Sequence, residues 1–596
     1  MVRLTNEQVE AKKAFINNYI NAQNASDGSK LDANANVSSK NIATLGAELN
    51  KDINIQVNRS LIVDKIRKRS GEDMANEYIR QLESHEIYTH DESSLNNYCA
   101  AVTLYPFLLN GLKGFGGESE APKHLASFCG SFVNLMFAIS SQLAGAVAAV
   151  EFLMYFDKFA RDDYGDNYLE THKDLIQNQL QHVVYAINQP AAARGFQSIF
   201  FNISIYDKPY FESIFGHFVF PDMTKPSYDS LDKLQRFFMK WFNKERTKAL
   251  LTFPVITAAT LNDGTTMVDQ PFQDFLAEEY SEGNAFFTFT SDNAESLSSC
   301  CRLKNEVGDQ VNDFSYSLGA GGVSTGSMNV ITINVNRLIQ DGRDLTTEVA
   351  KIHEYQLAFL DLFEEYIAAD LLPTFTEGYI DTSRQYLTVG LNGITEAAEY
   401  LGMTIDNNDE YKNWVRDLLK TVSDTNKVNA TKYGVKFNSE MVPAENLGVK
   451  FAKWDKADGY AVNRECYNSY FYLVEDDEIS ELDKLTLHGS DTSKFLDGGS
   501  AAHINLESYP TKEGFKKLLD VAVKEGTDYF CFNVKITGCE ECGNIDKRTL
   551  QECPECSSKD IWWGTRVIGY LKKISSFSSE RQREANLRHY HTTKGA

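Results

Sequence analysis

No stretch of this 596-residue chain is apolar for long enough to cross a bilayer. The most apolar run, Phe132 to Phe156, is interrupted by Asn134, Ser140, Ser141, Gln142 and Glu151, a pattern that reads as a buried helix. No charged-then-apolar leader opens the sequence, so export is not expected and the cysteines are expected as reduced thiols in the cytoplasm. Positive charge is scarce: 59 Lys and Arg stand against 83 Asp and Glu, for a formal charge of −24. That balance argues against a general nucleic-acid surface and leaves room only for local basic pockets that hold phosphate. A Walker loop is missing too, because the glycine-rich piece Gly319-Ala-Gly-Gly322-Val-Ser-Thr-Gly326 lacks a Gly-Lys-Ser/Thr ending.

What is present gathers near the C-terminus. Cys539-Glu-Glu-Cys542 and Cys553-Pro-Glu-Cys556 are two knuckles ten residues apart, turning through Gly538, Gly543 and Pro554. One Cys-x-x-Cys reads as a redox pair; two so close predict a zinc ribbon, with four thiolates at about 2.3 Å from one ion. Such a site has no open coordination position and is structural. Directly after it, Ile561-Trp-Trp-Gly564-Thr-Arg566-Val-Ile-Gly569-Tyr-Leu571 is apolar enough to be buried. A glycine between large residues there fits a tight backbone approach.

Elsewhere the chemistry-bearing residues are isolated. Tyr88-Thr-His90-Asp91 precedes Cys99, and a His-Asp pair before an apolar run also fits plain capping. Cys300-Cys301-Arg302 is a doublet whose side chains point to opposite faces of an extended chain; in an ordinary protein both are buried thiols. Asn329 begins the predicted buried strand Val330 to Arg337, and Glu445 follows Pro443-Ala444 ahead of another apolar run. A lone glutamate is usually a solvated charge. Helix patterns dominate 52–82, 124–163, 225–250 and 341–425, with strands at 251–260 and 529–534; this alternation predicts an α/β fold.

The core Arg566-Val-Ile-Gly569-Tyr resembles the radical loop of the glycyl radical enzymes, and the zinc ribbon upstream narrows the resemblance to the anaerobic, class III ribonucleoside-triphosphate reductases in their short phage form. A radical on an alpha carbon is delocalised over both flanking peptides and needs a planar centre without a side chain, which in that core only Gly569 offers. The resemblance implies a ten-stranded α/β barrel of two antiparallel halves, divided as an arm at 1–50, a barrel at 51–530 with dimer and effector helices at 124–163, a ribbon at 531–560, and a radical loop and tail at 561–596. It implies that Cys301, or alternatively Cys300, becomes the thiyl; that Cys99 is the second active-site cysteine; and that His90, Asn329 and Glu445 line the pocket, while Arg194-Gly195-Phe-Gln197-Ser198, otherwise a polar loop, resembles the family's Arg-Gly-x-Gln-Ser segment before a strand.

The implied partners are a ribonucleoside triphosphate, formate, a deoxynucleotide or ATP effector, a second copy of the chain, and an activase that carries the iron–sulfur cluster and S-adenosylmethionine. The N-terminal ATP cone of longer relatives is not seen in this sequence, and Lys572 and Ser575 to Ser579 stand where many relatives have Gly and a Phe-Asn-x-Gly-Lys segment. The alternatives are a pyruvate formate-lyase-like acyltransferase and a non-enzymatic zinc-ribbon assembly protein.

Overall fold

The computed structural model describes residues 3–29, 31–32, 39–191, 197–294, 296–299, 303–306, 324–442, 446–567 and 569–592. Its strands are β1 (Ile87–Thr89), β2 (Cys99–Ala101), β3 (Ala146–Ala148), β4 (Phe200–Tyr206), β5 (Val255–Leu261), β6 (Phe287–Ser291), β7 (Ser296–Ser299), β8 (Leu303–Glu306), β9 (Gly326–Asn334), β10 (Gln385–Asn392), β11 (Lys436–Met441), β12 (Ala502–Asn505), β13 (Tyr529–Asn533), β14 (Ile536–Cys539), β15 (Ile545–Asp546), β16 (Ile561–Arg566) and β17 (Leu571–Lys573).

Strands β2 to β6 run parallel in chain order, and so do β9, β10 and β11, and β12 with β13. The two sets meet antiparallel at β2–β9 and β6–β13. At the remaining seam, Met441 N donates to Gly499 O and Gly498 N to Ser439 O, so that β11 meets the segment leading into β12. Two five-stranded parallel halves thus close into the expected ten-stranded barrel, with β1 added beside β9.

Parallel strands need long crossovers, and helices provide them. Tyr228–Glu245 starts on the Ser227 cap before β5; Asp409–Tyr433 starts on Asn408 and ends at left-handed Gly434 before β11; Lys512–Glu525 lies between Thr511 and Gly526 before β13. With helices outside, the strands are buried on both faces, and β4, β9, β10 and β13 are buried at every position.

Two strands depart from the sequence reading. The segment 124–163 is not continuous helix: Leu125–Ser140 and Phe152–Tyr164 flank β3, which the chain enters at Gly145. A Cβ there would come within 2.5 Å of Cys99 Sγ, so only glycine lets the strand lie against β2. Within 341–425 the helical pattern hides β10, a buried strand with no polar alternation to mark it. Among the described residues no helix is long and apolar enough to cross a membrane.

Candidate active site

The two knuckles fold as mirror turns. Each Cys-x-x-Cys ends on a residue with positive φ, Gly543 at 74° and Ser557 at 58°, and Gly543 N and Ser557 N donate back to the carbonyls of Cys539 and Cys553. All four ligand atoms lie within 4.8 Å of one another, and the Sγ pairs Cys539–Cys556 and Cys542–Cys553 are each 3.6 Å apart. A tetrahedron with bonds of about 2.3 Å has edges near 3.8 Å, so the site fits zinc.

The ribbon and the glycine loop share one sheet, in the order β15-β14-β16-β17. Cys539 pairs with Ile561 on β16, and Gly538 is forced, because a Cβ there would fall within 2.0 Å of the Trp562 ring. At its other end β16 pairs Arg566 with Leu571, so that Val567, Gly569 and Tyr570 fall between the paired strands. Gly569 is buried there.

Tyr570 packs its ring on Phe200 of β4 (5.4 Å between centroids) and on Phe253 (5.7 Å). The Val567 carbonyl accepts from Arg588 Nη2 at 2.9 Å and from the Tyr470 hydroxyl at 3.1 Å; Arg588 Nη1 also reaches Arg566 O. Burial works against the charge of the Arg588 guanidinium, but its ion pair with Glu584 at 2.6 Å holds it firmly protonated. Arg566 donates to Phe286 O and lies 4.9 Å from the Phe287 ring, so the hairpin is pinned to the β4–β6 side of the barrel.

The residues singled out in the sequence divide. Cys300, Cys301, Glu445, Arg194 and Gly195 lie outside the described residues. The strands flanking the doublet are described: β7 pairs with β8 through Ser299 and Leu303, and β7 lies against β4, β5 and β6, the side to which the glycine loop is fixed. Cys99 starts β2, opposite Ser327 of β9, with its Sγ accepting from Ala146 N at 3.1 Å. His90 is buried beside β9, with Nε2 at 2.9 Å from Thr332 Oγ1 and its ring edge-on to Tyr88 and Tyr98. Burial, and then the charge of Lys450, depress its pKa to about 3, so the imidazole is neutral at physiological pH. Asn329 is buried, and its Oδ1 has no partner among the described residues.

Further groups escaped the sequence reading. Asn202 Oδ1, Asn438 Nδ2 and both amide atoms of Asn446 are likewise buried without partners among the described residues. Asn446 heads the helix Leu447–Ala457, and Lys450, one turn on, sends its ammonium to the Tyr88 hydroxyl and the Leu31 carbonyl. Burial pulls the Lys450 pKa down to about 8. The only sequence signal was adjacency: Asn446 follows Glu445. Away from this region, burial raises the thiol pKa of Cys129, and pushes that of Cys466 up to about 12, so neither offers a thiolate.

Barrel, metal knuckle and buried glycine hairpin together define a ribonucleotide-reducing oxidoreductase of the anaerobic type. The model of the family "Anaerobic ribonucleoside-triphosphate reductase" matches residues 48–591, and the chain belongs to that family. No curated protein matches it in sequence. Among solved structures, one described as "Anaerobic ribonucleotide reductase" shares 25% identity at a TM-score of 0.86, over 99% of this chain and 93% of that one. The anaerobic ribonucleotide reductase from Thermotoga maritima with glycerol in the active site aligns at 26% identity and a TM-score of 0.83, over 97% and 94%. The same enzyme in complex with dATP and CTP aligns at 26% and 0.82, over 98% and 100%.

Proposed function

We propose that the chain reduces ribonucleoside triphosphates with formate, storing its radical on Gly569 and drawing on it through Cys301. One observation carries this reading: a buried glycine at the tip of a hairpin whose own sheet is clamped by four cysteines, fixed against the same barrel strands that β7 lies on. The matching family uses a glycyl radical, and the resemblance of 566–570 to its radical loop supports Gly569 as the residue that carries it.

In this scheme an activase bearing an iron–sulfur cluster and S-adenosylmethionine removes one hydrogen atom from the Gly569 α-carbon. A Cys301 hydrogen atom then moves to Gly569, and the resulting thiyl takes the 3′ hydrogen of the substrate ribose. The 2′ hydroxyl leaves as water on taking up a proton, and Cys99 gives a hydrogen atom to C2′. The 3′ hydroxyl has by then lost its proton, so that C3′ is a ketone; formate gives a hydrogen atom to the Cys99 sulfur, which has paired with a second sulfur in a radical bond, and its remaining electron passes with a proton to the 3′ ketone, giving a C3′ radical and releasing carbon dioxide. The Cys301 hydrogen atom then returns to C3′, so the sum is triphosphate, formate and a proton going to deoxytriphosphate, carbon dioxide and water. Neutral His90 and the amides of Asn329 and Asn446 are suited to hold ribose and phosphate oxygens, because buried polar atoms without partners are costly unless a guest supplies them. The chain's share of the rate is placing the reacting atoms within about 3 to 3.5 Å and excluding water.

The dATP and CTP bound by the Thermotoga maritima enzyme support a deoxynucleotide effector and a CTP substrate for this chain as well. A homodimer through the 124–163 region, cytoplasmic action and a structural zinc complete the reading. The test is anaerobic electron paramagnetic resonance with activase on the parent and on Gly569→Ala, together with CTP reduction. A doublet and turnover in the parent, both lost in the variant with activity down at least about a thousandfold, are expected. A doublet that survives in Gly569→Ala, or acetyl transfer in place of CTP reduction, overturns the reading.

A further inference from the structure

The N-terminal arm reaches the limb of the glycine hairpin that follows Gly569. Asn24 uses both ends of its amide: Oδ1 caps the short helix Ala25–Gly28 by accepting from Asp27 N, while Nδ2 donates to Phe577 O at 2.9 Å and Ser575 O at 3.3 Å. Ser26 Oγ donates to Ser576 O at 2.8 Å and accepts from Lys572 Nζ at 3.3 Å. The Asp27 carboxylate accepts from Ser579 N at 3.1 Å and from Ser579 Oγ at 3.0 Å. Lys572 and the serines of 575–579 are the residues in which this tail departs from the pattern of many relatives, and they are the ones that meet the arm. Lys572 is buried, with its ammonium 4.8 Å from the Phe577 ring.

A few residues later the arm is tied to the opposite part of the site. Asp32 bonds Lys51 at 2.9 Å and Ser93 Oγ at 2.8 Å; Lys51 also holds Glu48 at 2.7 Å, and all three charged side chains are buried. The Leu31 carbonyl accepts from Lys450 and from the Tyr88 hydroxyl, beside His90. Residues 24–29 of the arm thus meet the hairpin's trailing limb, and residues 31–32 meet the wall that carries His90.

We propose that the arm segments 24–29 and 31–32 act as a strap that positions the radical hairpin, with Asn24, Ser26 and Asp27 fixing the 572–579 limb and Leu31 and Asp32 anchoring the strap to the barrel. The leading limb is held by Arg588 and Tyr470, so the strap supplies the second hold that keeps Gly569 from swinging outward. Loosening it opens the hairpin locally and leaves the zinc ribbon and barrel intact. The consequence for radical lifetime rests on Gly569 being the radical site; the consequence for hairpin opening does not.

The test uses the full chain with Asn24, Ser26 and Asp27 all changed to Ala, the isosteric Asp27→Asn, and Ser579→Ala from the other side of the contact. Amide hydrogen exchange over 569–579 is expected to rise about tenfold in the triple variant and less in the single ones, with zinc content and exchange of β4, β9 and β13 unchanged. After activation, the doublet is expected to decay several times faster in the triple variant, and restoring Asp27 alone is expected to recover part of its lifetime. Unchanged exchange over 569–579 in the triple variant overturns the strap, as does faster exchange spread evenly over the barrel. A parent that forms no doublet overturns the Gly569 reading instead, and the exchange arm then decides the strap by itself.

Discussion

The carbonyl of Val567, two residues before Gly569, takes two side-chain donors, while Asn329 and Asn438 on β9 and β11 and Asn446 just after β11 keep amide atoms without a partner among the described residues. Hairpin and wall are thus built oppositely. Ion pairs, aromatic packing and a four-cysteine cluster that fits zinc hold the hairpin still, as the proposed reaction at Gly569 over a short contact requires. The wall leaves buried hydrogen-bonding capacity unfilled, which costs stability unless a polar guest fills it. A rigid store and an unsatisfied receptor are what a radical enzyme acting on a nucleotide needs in two different places.

Changes to the hairpin side carry the largest effects. Cys556→Ser removes one of four ligands; zinc is expected to fall from about one per chain to near zero by metal analysis, and the doublet yield with it by more than about tenfold, because β14 and β16 lose the clamp they share. Retained zinc with normal radical yield would detach the ribbon from the hairpin's function. Arg588→Ala leaves the half-buried Glu584 with Arg581 as its remaining cation and the Val567 carbonyl with one donor fewer; a loss of about 1.5 to 3 kcal/mol is expected in denaturant unfolding, with lower doublet yield. A variant as stable as the parent would show that this pair is not what holds the limb.

On the wall side the sign reverses. Asn446→Ala removes no side-chain hydrogen bond among the described residues, so stability should change by less than about 1 kcal/mol while the KM for CTP rises about tenfold or more. Lost stability with unchanged KM would make Asn446 a packing residue. The smallest effect is the pH response of His90. Its folded pKa of about 3 lies below the ordinary 6.5, so between those values the unfolded chain binds the extra proton. Its contribution is therefore complete above about pH 6.5 and falls by about 1 kcal/mol per pH unit on acidification. His90→Gln should flatten the stability profile between pH 4 and 6.5, and an unchanged slope would assign acid sensitivity elsewhere.

The ribbon and the glycine were legible because their chemistry is local: four cysteines at knuckle spacing and one glycine within Arg-Val-Ile-Gly-Tyr are complete statements within some thirty consecutive residues. The barrel was legible as a class but not strand by strand. A strand buried on both faces, such as Gln385–Asn392, shows no alternation, and Ala146–Ala148 is too short to interrupt the helical pattern around it.

By itself the sequence determined which four thiols are spaced to hold a metal and which backbone carbon in Arg566-Val-Ile-Gly569-Tyr570 has no side chain, since both follow from residue type and spacing. Only the tertiary structure decided that ribbon and hairpin are one sheet, that the Asn446 amide is buried without a partner among the described residues, and that Asn24, Ser26 and Asp27 grip a tail some 550 positions away. Hydrogen bonds between distant segments are set by how the barrel closes, and no local pattern encodes that closure.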